Sequence, residues 1–151
     1  MDVVKDKVAT CATDGQIIVY PTDKLVDAQL VYRDTLPLQA VALHPNAKYV
    51  AFAGDFGAVR VVALDAIENG PIEGTYHNKS VTSIAYDPKG EYLASVDRVG
   101  GVCIWEAKSL KVVHTFQVHV PEKYAPLVSW SPDGKLLAVT GGCLLYTSRC
   151  V

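Results

Sequence analysis

A tight turn built around proline recurs through this chain at a nearly constant interval. Pro45 in LHPNAKYVAF, Pro88 in YDPKGEYLAS and Pro132 in WSPDGKLLAV stand 43 and 44 residues apart, and Gly15, Gly57 and Gly100 stand 42 and 43 apart. Two independent landmarks share one period, and it falls in the range of about 40–45 residues that a four-stranded propeller blade occupies. Such a unit buries its faces only against its neighbours, so the period constrains the whole architecture.

The unit between His77 and Trp105 reads most clearly. A β-branched run, Val81 to Tyr86, enters an Asp87-Pro88-Lys89-Gly90 turn; a second run, Tyr92 to Val96, meets the Gly100-Gly101 break; a third, Val102 to Trp105, follows. This is an antiparallel meander of short strands joined by tight turns. In the same register, Lys7 to Ala12, Ile17 to Tyr20 and Ala28 to Tyr32 are second, third and fourth strands, so the chain begins inside a blade. A full blade follows, with strands at Gln39 to Leu43, Tyr49 to Ala53, Val59 to Leu64 and Glu73 to His77. The next unit closes with Val112 to Phe116, and Leu127 to Trp130 and Leu136 to Thr140 open another that stops short of its third strand. The expectation is an all-β, incomplete propeller of two whole blades flanked by two partial ones, with helix confined to a turn or two. Strands such as YLASV and VCIW are apolar or small on both faces, as sheets sandwiched between neighbours require. Ala42, Ala51, Ala85 and Ala94 recur among larger residues and would let adjacent blades approach. A β-sandwich also uses short alternating strands but does not predict the shared period.

The order of a His before the first strand, a D/S-P-x-G turn after it and a Trp closing the third strand resembles a WD-repeat blade. The resemblance implies a structural hydrogen-bonded network in which His77 reaches toward Trp105, with Ser95 and Asp97 the nearest candidates to complete it. Asp97 stands about two positions before the Asp-Gly of the usual turn, which here reads Val99-Gly100. Across Asp6 to Thr140, the strings DKVATCATDGQIIVY, AFAGDFGAVRVV, VTSIAYDPKGEYLASVDRVGGVCIWE and SWSPDGKLLAVTG are similar to the amino-terminal WD-repeat domain of the chromosome transmission fidelity replisome adaptor, the acidic nucleoplasmic DNA-binding protein family. The Asp that follows the third-strand Trp in the repeat signature is Glu106 here, with Pro21 and Ala63 at the equivalent positions. The resemblance implies a nuclear, non-enzymatic scaffold with replication factors among its protein partners, and carries no partner-binding residue onto this stretch. A ubiquitin-ligase substrate receptor is another WD-repeat scaffold open to it, and a propeller enzyme a further alternative.

Chemistry-bearing motifs do not support the enzyme. His44, His114 and His119 are isolated from one another in this register, and GxSxG, HExxH and phosphate-cradling glycine loops are missing from the sequence. Cys11, Cys103, Cys143 and Cys150 show no metal-ligand or CxxC spacing, so neither zinc nor a disulfide framework is indicated. No cofactor and no small-molecule ligand is expected. A formal net charge of −2 does not favour a polyanion-binding domain, so no direct nucleic-acid site is evident. No apolar stretch approaches the roughly 20 residues that span a bilayer, and the first residues are neither a signal nor a transit peptide, which predicts a soluble intracellular protein. Asn78-Lys79-Ser80 fits a glycosylation sequon and reads here as a turn before a strand.

In a propeller, the turns between second and third strands gather with the inter-blade connections on one rim. That places Arg33, Asp34, Asp55, Phe56, Asn78, Lys79, Arg98, Lys123 and Tyr124 in a candidate protein-binding rim, with an exposed Phe56 beside Asp55 and Arg98 beside Asp97.

The segment 143–151, CLLYTSRCV, departs from the repeat. Codons that can encode it, TGT CTC TTA TAC ACA TCT and AGA TGT GTA with TAA next, form two blocks that look like a transposase sequencing adaptor joined head to head. The expectation is that residues 1–142 are a partial propeller from a longer gene and 143–151 an adaptor-derived tail outside the fold, although Leu144, Leu145 and Tyr146 are apolar enough to complete a third strand.

Overall fold

Alternating strand and turn signals resolve into four antiparallel sheets in a computed structural model of the protein. The structure describes residues 1–24, 26–121, 123–141 and 144–149, those from 141 onward through their backbone. The first sheet contains β1 (Asp2–Val4), β2 (Lys7–Cys11), β3 (Gln16–Pro21) and β4 (Gln29–Arg33). The second contains β5 (Leu38–Leu43), β6 (Tyr49–Gly54), β7 (Ala58–Ala63) and β8 (Ile72–Thr75). The third contains β9 (Val81–Tyr86), β10 (Tyr92–Asp97), β11 (Gly101–Glu106) and β12 (Val112–Gln117), and the fourth β13 (Leu127–Trp130), β14 (Leu136–Gly141) and β15 (Leu144–Arg149). Strands pair in chain order within every sheet, and the only helical element among the described residues is the 3-10 turn Ile67–Asn69.

The first strand of each sheet packs against the next unit, β5 on β9 and β9 on β13, with β1 and β2 on β5. The chain is therefore an all-β, open arc of four propeller-like blades. The two middle blades follow the sequence, whereas the last carries a third strand beyond the two expected of it. The first blade differs, because the short β1 completes it: Asp2, Val3 and Val4 pair with Ala9, Val8 and Lys7. The Lys5-Asp6 turn before β2 holds Lys5 at φ 53 with no glycine to announce it, so the sequence offers no turn signal there. The second blade's last strand also ends at Thr75 rather than His77, which frees Tyr76–Ser80 as a connection. Gly142, Cys143, Cys150 and Val151 lie outside the described residues. Within the tail, Leu144–Arg149 forms β15 and pairs along β14 from Gly141↔Leu144 to Leu136↔Arg149, the third strand that its apolar residues allowed.

Alternation along each strand sends its two faces into two different interfaces. In the second blade, Val41, Leu43, Val50, Phe52 and Val62 meet Ala9, Ile17, Val19 and Val31 of the first. On its other face Ala40, Ala42, Ala51, Ala53 and Val61 meet Val81, Ile84, Leu93, Cys103 and Trp105 of the third. Ala94, Val96, Val102 and Ile104 then meet Val128, Leu137 and Val139 of the fourth. The alanine-rich face is opposite the bulkiest side chain of the core, so small and large residues alternate across the interface and fill it.

At the end of the blades where first and second strands turn, the proline-centred turns place their last residue in the left-handed region: Ala47 at φ 61, Gly90 at φ 73 and Gly134 at φ 71. Gly90 is also an inter-blade contact. His44 Nδ1 accepts from Asn46 N at 3.1 Å, so its Nε2–H donates to Gly90 O at 2.9 Å, and its ring lies edge-on to Tyr49 and Tyr86. A Cβ on Gly90 would sit 2.3 Å from His44 Cε1 and Nε2. Gly90→Ala is expected to cost about 1–3 kcal/mol in chemical denaturation, from φ strain plus displacement of a ring held on both nitrogens.

Candidate functional site

The opposite end of the blades carries the second-to-third-strand turns and the inter-blade connections. They pack backbone to backbone: Asp34 N donates to Gly15 O at 2.8 Å, Arg98 N to Ser80 O at 2.9 Å and Val118 N to Gly100 O at 2.9 Å. A Cβ on Gly57 would lie 2.5 Å from His77 O, so this turn presses on the connection that delivers His77.

His77 turns inward from that connection. Its Nδ1 lies 3.0 Å from Asp97 Oδ2, its Nε2 lies 2.7 Å from Ser95 Oγ, and Trp105 Nε1–H donates to the same Ser95 Oγ at 2.8 Å. A carboxylate only accepts, so Nδ1 carries the proton; Nε2 of the neutral ring then accepts from the Ser95 hydroxyl, which itself accepts from the indole. Asp97 Oδ1 accepts from Val99 N at 3.1 Å and Gly101 N at 2.8 Å, which holds the turn in the shape that aims Oδ2 at the ring. A Cβ on Gly101 would fall 2.6 Å from Asp97 Oδ2, so only the bare backbone admits the carboxylate here. The position of Asp97 ahead of the glycines is thus what lets one carboxylate cap the turn and hold the imidazole.

The Ser–His–Asp connectivity is that of an acyl-transfer triad, but its surroundings differ. Ser95 and Trp105 are 0% exposed, so no substrate atom reaches Ser95 Oγ, and the indole occupies the hydroxyl's acceptor side. Its hydrogen bonds tie the connection that carries His77 to β10 and β11 of the third blade. Burial pushes the His77 imidazole below its ordinary value of 6.5, against the opposing hydrogen bond and charge of Asp97. The unfolded chain therefore binds a proton at His77 more readily than the folded one. Stability is expected to be full above about pH 6.5 and to fall as pH drops from there toward the lower folded value. Urea titrations across that window should show a contribution of up to about 1.4 kcal/mol per pH unit that disappears in His77→Gln.

The rim residues divide into groups. Asp34 Oδ1 caps Thr35 N at 2.7 Å and Leu36 N at 3.2 Å, while Oδ2 pairs with Arg60. Arg60 also pairs through Nε with Glu73 Oε2 at 2.6 Å, and its guanidinium lies 4.1 Å from the Phe56 ring centroid. Phe56 is half-buried, packed on the core between first and second blades and covered by that guanidinium, which corrects its expected exposure. Asp55 Oδ1 accepts from Ser80 Oγ at 2.7 Å. Arg33, Asn78, Lys79 and Arg98 are exposed, and the bond between Arg98 N and Ser80 O makes Lys79 and Arg98 neighbours. Lys123 and Tyr124 are exposed on the next connection. Sequence reasoning missed Arg60, Tyr76 and Ser80. Arg60 had a signal, a charge within the otherwise apolar AVRVVA; Tyr76 and Ser80 had none.

Residues 72–106 match the family model described as WD domain, G-beta repeat, which spans β8, β9, β10 and β11 and the whole His77 network. The chain contains a WD40 repeat domain. It is similar to Minichromosome loss protein 1 of Schizosaccharomyces pombe, 34% identical over 144 residues that cover 91% of this chain and 17% of that protein. It is also similar to Actin-interacting protein 1 of Caenorhabditis elegans, 26% identical over 87% of this chain and 21% of the relative. A third relative is Transcription initiation factor TFIID subunit 5 of the same organism, 24% identical over 89% of this chain and 20% of the relative. The WD40 domain spans about a fifth of the length of these relatives. No helix of the described residues is long and apolar enough to cross a membrane.

Proposed function

We propose that this chain is part of a non-catalytic protein-interaction scaffold of the nucleus, in the line of the replisome adaptors that act in replication and chromosome maintenance. Blades fixed by the buried His77 network hold connections whose exposed Arg33, Asn78, Lys79 and Arg98 are available to a partner, and rigid scaffolds with chemically mixed loops are where binding concentrates. The observation that carries the replication reading is the 34% identity to Minichromosome loss protein 1, against 26% and 24% to the actin-interacting and transcription-factor relatives over similar shares of the chain. In this reading the network is structural, Lys123 and Tyr124 extend the binding rim onto a second connection, and 143–151 is foreign to the natural fold. Disabling the locus is expected to raise the loss rate of a marked chromosome, with the intact gene restoring it. Unchanged chromosome transmission alongside an actin or transcription defect overturns the replication reading.

A further inference from the structure

Resting on that rim as a protein-binding surface, we infer that it takes an acidic segment of a partner protein in which carboxylates alternate with apolar side chains. Its charges are sorted by direction. Arg33, Lys79 and Arg98 project into solvent and make no ion pair among the described residues. The carboxylates of the same surface are already engaged: Asp34 with Arg60 and two backbone N–H groups, Asp97 beneath the surface with His77 and two more. Asp55 receives the hydroxyl of Ser80 and the amide of Gln39. An approaching cation or N–H donor meets carboxylates that already accept hydrogen bonds within the chain, whereas an approaching carboxylate meets guanidinium and ammonium groups engaged in no ion pair among the described residues.

Apolar surface is interleaved with these cations. Val99, 51% exposed, follows Arg98 in the turn, and Tyr76, 39% exposed, precedes the Asn78-Lys79 pair. The Tyr76 ring is held edge-on to His77 at 5.0 Å and to Trp105 at 6.4 Å, so covering it immobilises little that is free. Aromatic and arginine side chains on an ordered base are what carry affinity at protein interfaces. A phosphate backbone is a poorer match, because it brings no apolar side chain to cover the exposed Val99 between these cations.

The test uses the full chain and fluorescence anisotropy with three probes: a short synthetic peptide alternating Glu with Leu and Phe, its Lys-for-Glu counterpart, and single-stranded oligo-dT. The acidic peptide is expected to bind with an affinity that falls as salt rises. Lys79→Glu and Arg98→Glu, both at exposed side chains, should each weaken it about tenfold or more, and together should transfer binding to the Lys peptide. Failure of the acidic peptide to bind, binding that ignores both reversals, or tighter binding of oligo-dT overturns the inference. Tighter binding of the Lys peptide, lost in Val99→Asp, overturns only the charge assignment and leaves the rim standing as a protein surface. If no probe's binding responds to any rim substitution, the rim reading falls with it.

Discussion

Trp105→Ala is expected to lower the stability of the chain by about 3–5 kcal/mol, the range for truncating a large aromatic in a packed core. Two losses combine. The indole is 0% exposed and lies in the interface between second and third blades, so its removal leaves a cavity that the alanines facing it from the second blade are too short to fill. Ser95 Oγ also loses the donor at 2.8 Å, within a buried chain where each hydrogen is used once. Trp105→Phe separates the two terms, because it keeps much of the volume and removes the N–H; about 1–2 kcal/mol is expected for it. Guanidinium denaturation followed by far-UV circular dichroism, which reads β-structure without the tryptophan signal, measures both. With total stabilities of about 5–15 kcal/mol usual for a domain, the Ala variant should lose a large fraction of the total. An Ala variant within about 1 kcal/mol of the parent would show that this interface does not hold the blades together.

Much of this was legible in the sequence because it rests on signals with a fixed period. Pro45, Pro88 and Pro132 mark turns whose closing residue the structure places at left-handed φ, and they set a register in which most strands fall within a residue or two of their observed bounds. The strand at Asp2–Val4 was not legible. Its turn places a lysine, not a glycine, at positive φ, and three residues are too few to show alternation. Residues of the His77 chain could be named from the resemblance to a WD-repeat blade, whereas its geometry could not: nothing in the order of residues says that Asp97 caps its own turn with one oxygen and holds the imidazole with the other. The rim was legible as a set of loops, but not in the direction of its side chains. Arg60 lies on a strand outside every loop, yet its guanidinium covers Phe56 and pairs with Asp34, which removes both from the surface that sequence alone would assign them.

Gly74→Val, one blade away from the tryptophan, is expected to cost about 3 kcal/mol and to do so through the same ring. Gly74 lies on β8, opposite Val59, at a backbone conformation any residue adopts, so the need for glycine there is one of space. A Cβ would stand 2.7 Å from Trp105 Cζ3, 3.0 Å from Cε3 and 3.0 Å from Leu110 Cβ. The ring cannot retreat, because its Nε1 is tied to Ser95 and its other face meets the buried core of both blades. The second blade must therefore move off the third, which also strains the nearby connection that delivers His77. If that account is right, shrinking the ring relieves the clash. Gly74→Ala should cost less in a Trp105→Phe background than in the parent, with a coupling energy of about 1 kcal/mol or more in a double-mutant cycle. Strict additivity would place the cost of Gly74 substitution elsewhere, in strand propensity or in Leu110, and would remove the tryptophan from its assigned place as the spacer between these two blades.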